Sequence, residues 1–480
     1  MISVKTFSIL ILFLLLTFCL AGNVLASNND VTNSTVVQEM VASEEGEVEH
    51  ELPSPYMVLP FIILLAMIAT GPLFYHHFWE RNYPKIALFL GAITVVYYIV
   101  FLHDTHSLRH TAAEYLSFIA LLSSLFVASG GILIKVDRKA TPMLNSIILL
   151  FGAVIANVIG TTGASMLLIR PFIKLNKDRI KPFHIIFFIF AVSNVGGALT
   201  PIGDPPLFLG FLKGVEFFWV VQHVWYIWLP TILAIIAVFY FIDLKNGNNN
   251  NSEVTYSNKI EFSGMKNVVY LLIIVISVFI DPAVISWVPS LDPLPFGIRE
   301  IIMFSVVYFS YKSADKEILK ANEFDFEPIK EVAYLFIGIF ATMIPALQLI
   351  AHMAQAKGDI LTPGIFYWST GVLSAFLDNA PTYLNFLSAA LGKFNLEMTT
   401  TGVLELQNLH PIYLSAISVG AVFFGAMTYI GNGPNFMVKS ISERSGIKMP
   451  SFFGYLIKYS LPILIPIFII VWLLFYYLQG

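Results

Sequence analysis

Residues 193–210, which read SNVGGALTPIGDPPLFLG, interrupt an apolar stretch that is long enough to cross a membrane. Pro201, Pro205 and Pro206 each remove a backbone donor and clash with the preceding turn, so a regular helix cannot continue through this stretch. Inside a bilayer, broken backbone persists only where protein buries it or a watery cavity receives it. Because the break also contains the carboxylate Asp204, the stretch is typical of a transport site. The alternative is a helix-to-loop turn at the membrane surface.

The same pattern occurs a second time, in the C-terminal half of the chain. Gly197–Asp204 reads GALTPIGD and Gly425–Asn432 reads GAMTYIGN, with five of the eight positions identical. The final aspartate of the first copy is an asparagine in the second, which keeps an oxygen ligand and removes the charge. Each copy follows another polar interruption, ANVIGTT at 156–162 and DNAPT at 378–382. Duplicated, interrupted segments are typical of secondary transporters, and the repeat argues against a surface turn.

The composition places the chain among polytopic α-helical membrane proteins. Of the 480 residues, 57% are hydrophobic and 12% are charged, and the mean hydropathy is +0.76. This is too apolar for a soluble domain, and stretches of spanning length recur along the chain. Cys19 is the one cysteine, which excludes an internal disulfide and a cysteine metal site. The sequence shows no nucleophile–base pair or transition-metal cluster, so we expect no enzyme activity, no cofactor and no nucleic-acid partner.

The chain divides into five segments. Residues 1–26 are predicted to be a signal peptide that is cleaved at its small-residue end, with an uncleaved first helix as the alternative. Residues 27–55 are predicted to be an acidic extracytoplasmic tail. Residues 56–243 form the first transmembrane repeat, 244–265 a polar cytoplasmic linker, and 266–480 the second transmembrane repeat.

Each repeat is predicted to contain three spans, a re-entrant hairpin, a broken span and a final span. In the first repeat these elements lie near 56–75, 84–103, 113–134, 143–173, 182–212 and 219–242. In the second they lie near 267–288, 298–311, 331–350, 363–391, 411–438 and 452–478. Because a hairpin does not cross the bilayer, each repeat crosses five times and the whole chain about ten times. An odd number of crossings gives the repeats opposite orientations, which is the inverted-topology arrangement of many transporters.

The charge distribution supports this topology. With the mature N-terminus outside, the 27 lysines and arginines are predicted to lie on the inner side, apart from Lys5 in the signal segment and a few others. Those others are Arg109, Lys213, Arg299, Lys357 and Lys393. The excess of lysine and arginine on the inner side follows the positive-inside rule. We therefore predict a multi-pass protein of the cytoplasmic membrane with both termini outside, in which the breaks meet near the midplane.

The four interruptions are predicted to form one ion- or substrate-binding site. They offer short polar side chains and freed carbonyls, which are the oxygen ligands that suit hard cations such as Na⁺. The candidate residues are Asn157, Thr161, Thr162, Ser193, Asn194, Thr200, Asp204, Asp378, Asn379, Thr382, Thr428 and Asn432. Half-helix N-termini nearby favour an anion instead.

Asp204 and Asp378 are the only carboxylates in the four interruptions, which contain no Lys or Arg. Burial favours the protonated form of a carboxylate, whereas a bound cation favours the ionised form. A proton and Na⁺ therefore compete for one group, which is the minimum requirement for cation/proton exchange. We predict both carboxylates as proton-coupling groups. For Asp378 the alternative is a helix cap.

The interruptions resemble those of the ion transporter superfamily, in the branch that holds NhaD-type sodium/proton antiporters, arsenite permeases and citrate transporters. The motifs that carry the resemblance are NVIGTTGASMLLIRP at 157–171, SNVGGALTPIGDPP at 193–206, DNAPT at 378–382 and GAMTYIGNGPN at 425–435. The resemblance covers the chain from about Met57 onward. It implies paired hairpins and broken helices that hold Na⁺ and substrate, adds Gly203 and Gly431 to the site, and implies a homodimer.

We expect a Na⁺(Li⁺)/H⁺ antiporter of the bacterial cytoplasmic membrane. Two carboxylates without a neighbouring cation make a poor site for a multiply charged anion, unless bound cations reverse the local field. The Ser-Asn-Thr triplets that carboxylate-transporting relatives carry are also missing from both hairpin tips. The alternative is a Na⁺- or H⁺-coupled citrate or dicarboxylate transporter, and a remote alternative is a transport-inactive scaffold or sensor.

Overall fold

The computed structural model describes residues 52–246, 259–282, 285, 287–291, 294–356 and 358–477. The predicted signal peptide, most of the acidic tail and the asparagine-rich part of the linker lie outside these ranges. Within them, seven helices are long and apolar enough to cross a membrane, or eight if a pair bent by 101° counts as one span. The predicted all-α polytopic membrane protein is therefore confirmed.

The two repeats share an order of three helices, a hairpin, a broken helix and a final helix, and the second repeat contains two additional short helices. The first repeat contains α1 Leu59–Phe74, α2 His76–Val100, α3 Thr105–Gly130, β1 Leu133–Asp137, α4 Pro142–Leu175, α5 Pro182–Ala191, α6 Pro205–Leu212 and α7 Trp219–Lys245. Then follow β2 Lys259–Ser263, α8 Lys266–Ser277, α9 Ile298–Ser313, α10 Lys316–Ala321, α11 Glu327–Ala356, α12 Pro363–Phe376, α13 Asn379–Lys393, α14 Thr400–Leu409, α15 Pro411–Gly425, α16 Gly433–Arg444 and α17 Phe452–Tyr477. Helix α17 contains two π-helical stretches, Leu456–Leu464 and Leu473–Tyr477.

Helix α4 is the predicted first hairpin. It is interrupted at Gly160, and its two ends meet, because the side-chain amides of Asn145 and Asn176 exchange two hydrogen bonds of 2.8 Å. A straight helix of this length would hold those residues more than about 40 Å apart. The chain therefore reverses at Gly160, although its length and hydropathy alone would also suit a single span.

Helices α12 and α13 form the predicted second hairpin. The rings of Phe366 and Phe386, one on each arm, have centroids 6.1 Å apart. Both hairpins begin with a threonine cap before a proline: Thr141 accepts a hydrogen bond from the amide of Leu144, and Thr362 accepts one from the amide of Ile365. Threonine satisfies a free amide at a helix start, and proline fits the first helical turn.

Several boundaries differ from the sequence-based prediction. The span predicted near 267–288 ends earlier, at Ser277, because Asp281-Pro282 follows and proline cannot extend a helix. Helix α14, which meets α15 at the 101° bend, was not predicted. The short antiparallel sheet of β1 and β2 was not predicted either, and β2 lies in the segment that was interpreted as a linker.

The two repeats pack reciprocally, as related halves do. Helix α11, the third predicted span of the second repeat, packs on α2, the second predicted span of the first, while α3 packs on α9. A Cβ on Gly338 of α11 would lie only 2.7 Å from the carbonyl oxygen of Ala87 on α2, so small residues allow this close approach. In the same reciprocal way, α6 packs on the hairpin arm α13, and α16 packs on the hairpin α4. This exchange brings the four breaks together.

Candidate functional site

The first hairpin tip is built on an unusual backbone conformation. Gly160 has a φ of 77°, in the left-handed region that favours glycine. This break frees backbone groups on both sides of it. The amide of Thr161 donates to the carbonyl of Gly203 at 2.8 Å, and the carbonyl of Asn157 accepts from Thr200 Oγ1 at 2.6 Å. The tip and the first broken helix therefore hold each other through groups that a continuous helix would have satisfied internally.

The second repeat builds the same contact. Thr428 Oγ1 donates to the carbonyl of Ala375 at 2.5 Å, as Thr200 does in the first repeat. Each of these hydroxyls also accepts a 3.1 Å hydrogen bond from the amide three residues later, at Gly203 and Gly431. The duplicated GAxTxIG sequence thus encodes one local structure that occurs twice. Both threonine hydroxyls stabilise the backbone conformation of a break through these hydrogen bonds, so their role in the site is structural.

Replacing Gly431 by Ala is expected to destabilise the second break by about 1–3 kcal/mol, the usual cost of overpacking a tight interior. A Cβ there would lie 2.6 Å from the carbonyl oxygen of Gly425 and 2.8 Å from that of Ser374. Gly433→Ala is the matched control, because no heavy atom lies within 4 Å of its Cβ position. Thermal unfolding of both purified variants checks this: equal melting temperatures would contradict the close approach at Gly431.

Asp204 lies at the centre of the four breaks. Its side chain is only 1% exposed. Oδ1 accepts hydrogen bonds from Thr161 Oγ1 at 2.7 Å and from Asn432 Nδ2 at 2.8 Å, and Oδ2 accepts one from Asn379 Nδ2 at 2.6 Å. The three donors come from the two hairpin tips and the second broken helix, so this carboxylate joins all four breaks. All three donors are neutral.

Two amide oxygens within the group of breaks have no hydrogen-bond partner among the residues that the structure describes. They are Asn194 Oδ1 and Asn379 Oδ1, and both are buried. The two side chains lie near one glycine: a Cβ on Gly425 would lie 3.0 Å from Asn194 Oδ1 and 3.5 Å from Asn379 Nδ2. A buried acceptor without a partner is costly, and oxygen atoms of this kind are the preferred ligands of hard cations. The donor set therefore fits a cation that would be shared between these oxygens and the carboxylate.

Two other predicted residues shape the first break. Asn157 Nδ2 donates to the carbonyl of Gly196 at 2.7 Å, and its Oδ1 accepts from the amide of Leu199 at 2.8 Å. Ser193 Oγ lies 2.8 Å from Ser165 Oγ. These contacts fix the loop that carries Asp204, and they leave the side chains of Asn157 and Ser193 with protein partners.

The second carboxylate, Asp378, lies at the start of α13. Its Oδ1 accepts a 3.0 Å hydrogen bond from the amide of Ala380, which is the contact of a helix cap, and its carbonyl accepts from Thr382 Oγ1 at 2.9 Å. Asp378 is half-buried and immediately precedes Asn379, a donor to Asp204. Thr162 is half-buried too and makes no side-chain hydrogen bond with the residues that the structure describes. A role of Asp378 in proton coupling stays a prediction.

Asn435 belongs to the site, although the sequence did not single it out. Its Oδ1 accepts a 2.6 Å hydrogen bond from Asn194 Nδ2, and its Nδ2 donates to the carbonyls of Gly425 at 2.8 Å and Thr428 at 2.9 Å. The signal was present in the GNGPN ending of the second copy. It was missed because the first copy has Leu207 at this position.

A comparison with protein families assigns the chain to a family. A family model described as "Putative citrate transport" matches residues 49–476, nearly all of the chain. The chain belongs to this family. The match begins close to the first described residue and includes both hairpins and both broken helices, so the family assignment and the membrane fold describe the same part of the molecule.

Curated relatives agree with a transport function in general terms. An uncharacterized transporter of Mycobacterium tuberculosis is 24% identical over 402 residues, which cover 79% of this chain and 83% of the relative. An uncharacterized transporter of Mycobacterium bovis is 22% identical over 396 residues, covering 80% of this chain and 84% of the relative. The protein is therefore a multi-pass membrane transporter related to citrate transporters.

Proposed function

We propose that the protein exchanges Na⁺ or Li⁺ for protons at Asp204. The observation that carries this proposal is the setting of that carboxylate. It is buried, its three side-chain donors are neutral, and Asn194 and Asn379 of the surrounding breaks have amide oxygens without a partner among the described residues. A single ionisable oxygen ligand in such a setting binds either a proton or a small cation. A bound proton and a bound cation neutralise the same buried charge, so each ion displaces the other.

The neutral donors allow this exchange because they leave the negative charge of Asp204 to be neutralised by the proton or by the cation. Thr161 can turn its hydroxyl so that oxygen, instead of hydrogen, faces a bound cation. Asn379 already holds a free amide oxygen on the side chain that donates to Asp204. The cation is the transported substrate here, and Asp204, Asn194 and Asn379 are its proposed ligands.

The second candidate is coupled transport of citrate or a dicarboxylate, which the description of the family favours. Helices α13 and α16 begin at the breaks, immediately after Asp378 and Asn432. The free amides of helix starts attract anions. In this case the carboxylate of Asp204 would hold the coupling cation, and the helix starts would hold part of the anion.

Everted vesicles with an imposed pH gradient and a pH-sensitive dye test the two functions. Na⁺, Li⁺, K⁺ and citrate are added separately, with vesicles that lack the protein as the control. Collapse of the gradient by Na⁺ or Li⁺ supports the exchange. A gradient that no cation changes, together with citrate accumulation in right-side-out vesicles, would overturn the exchange and support carboxylate transport.

We expect the exchange to carry no net charge. Asp204 is the carboxylate that receives all three side-chain donors, while Asp378 caps a helix, so one proton should be released for each Na⁺ bound. The exchange rate should therefore not change when K⁺ and valinomycin set the membrane potential of vesicles at different values. A rate that increases steeply with the potential would contradict one-for-one exchange, and loss of this dependence in Asp378→Asn would assign the second proton to Asp378.

We further propose that the protein lies in the bacterial cytoplasmic membrane with both termini outside. The two ends of the first hairpin meet at one side of the molecule, and the connection that follows them is rich in lysine and arginine. Lys174 lies in the last turn of α4, and Lys177, Arg179 and Lys181 lie in the connection. This supports a cytoplasmic position for that side. The homodimer implied by resemblance stays a prediction.

A further inference from the structure

The orientation of the Asn194 amide is determined by its neighbours. Its Nδ2 donates to the carbonyl of Ile189 at 2.9 Å and to Asn435 Oδ1 at 2.6 Å, so both amide hydrogens are used. Turning the amide over would place Oδ1 against two acceptors, which is unfavourable. Asn194 Oδ1 is therefore held on the opposite side, where no residue in the described part of the chain forms a hydrogen bond with it.

The orientation of Asn435 is determined in the same way. Its Nδ2 faces the carbonyls of Gly425 and Thr428, two acceptors that the second break leaves free. Its Oδ1 must then point the other way, toward Asn194. The backbone of the second broken helix thus fixes the amide of Asn435, and Asn435 in turn fixes the amide of Asn194.

The hydrogen bond between Asn194 and Asn435 has no counterpart at the equivalent positions of the duplicated motif. The duplicated motif pairs Asn435 with Leu207 and Asn194 with Val422, and both counterparts are buried. The first break nevertheless forms the same threonine contact as the second. A break can therefore fold without an asparagine at the position of Asn435. We look for the role of Asn435 in the binding site instead.

We propose that Asn435 is a positioning residue of the cation site, which fixes Asn194 so that its Oδ1 serves as a ligand. Asn435 does not touch the ion and acts through Asn194. This inference rests on the proposed cation exchange and names a further residue of the same site. It also explains why the Asn194 amide oxygen, which has no partner among the described residues, is retained in a fully buried position.

The test is a double-mutant cycle on the half-saturating Na⁺ concentration. Asn435→Ala should raise that concentration about tenfold, because losing one well-oriented ligand costs roughly 1.4 kcal/mol, with the maximal rate within about twofold of wild type. In an Asn194→Ala background, the same substitution should change it by less than about twofold, since coupled residues are not additive. An equal change in both backgrounds would overturn the proposal.

The control separates positioning from general stability. Asn322 also donates through Nδ2 to two backbone carbonyls, those of Gly130 and Ile132, both at 2.8 Å, but it lies away from the breaks. Asn322→Ala should lower the melting temperature without changing the half-saturating Na⁺ concentration. If Asn435→Ala does not fold, Asn435→Leu replaces it, because leucine occupies the equivalent position in the first repeat.

A second readout distinguishes this inference from the proposed function. Purified protein is melted in detergent with NaCl or with choline chloride, and binding of Na⁺ to the folded state raises the melting temperature. A wild type without any Na⁺ effect on flux or melting would overturn both proposals. A wild type that responds to Na⁺, with an Asn435→Ala variant of unchanged half-saturation, would overturn only the positioning role.

Discussion

Asp204→Asn is expected to reduce cation-dependent proton movement by roughly 100-fold or more. The substitution removes the one charge to which three neutral donors are directed, and truncating a buried, hydrogen-bonded charge costs about 2–5 kcal/mol. An amide cannot exchange a proton at any pH of interest, so a higher Na⁺ concentration should not restore the rate. Dye-based exchange in vesicles, normalised to the amount of protein, measures the effect.

The pseudo-symmetry of the breaks provides a sharper version of this experiment. Asp204 and Asn432 occupy equivalent positions in the two copies, and they are joined by a 2.8 Å hydrogen bond. The double variant Asp204→Asn/Asn432→Asp moves the carboxylate across this bond without changing the number of charges. We expect it to recover part of the exchange that the single variant loses. Recovery should be incomplete, because Asn432 Nδ2 also donates to the carbonyl of Ser193 at 3.1 Å.

The matched single variant Asn432→Asp controls for the new charge alone. It places two carboxylates within hydrogen-bond distance, where they cannot both ionise, so one of them should retain a proton. Exchange by the double variant at the level of Asp204→Asn would show that the position of the carboxylate matters, and not only its presence. Wild-type exchange by Asp204→Asn itself would contradict the central role of this residue.

The local sequence was sufficient to predict the breaks but not all of their contacts. Prolines, glycines and the threonine of GAxTxIG act within a few residues of each other, so both broken helices and both hairpins could be located from the pattern. The contact between Asn194 and Asn435 joins residues 241 positions apart. No local rule indicates it, and alignment of the repeats is misleading because it pairs each asparagine with an apolar residue.

The two readings of Asp378 show another limit of sequence patterns. A carboxylate before Asn379 is compatible with a helix cap and with an ion ligand, and the spacing is the same in both cases. The structure assigns its Oδ1 to the cap contact with Ala380. Helix α14 was missed for a related reason: its TTGVLELQNL sequence contains few apolar residues, and only its packing distinguishes it from a polar loop.

Asp243→Asn is expected to destabilise the protein strongly, by about 3–5 kcal/mol, the cost of leaving a buried charge without its partner. Asp243 is fully buried near the end of α7 and pairs with Arg179 at 2.7 Å. It also accepts from Asn145 at 2.9 Å and contacts His184 at 3.0 Å. The carboxylate therefore joins the base of the first hairpin to the start of the first broken helix. A large decrease in melting temperature, with less exchange at equal protein amount, is the expected result.

Removing both charges of the Asp243–Arg179 pair should destabilise the protein less than removing the charge of Asp243 alone. In Asp243→Leu/Arg179→Met, no buried ion remains unpaired, and apolar replacements of a buried ion pair are often neutral. We expect a melting temperature between those of Asp243→Asn and the wild type. Glu443→Gln, which removes the partly exposed pair with Lys439, is the control and should leave the melting temperature unchanged. If the double variant melts below the single one, the network contributes through its hydrogen bonds to Asn145 and His184, and not mainly through charge balance.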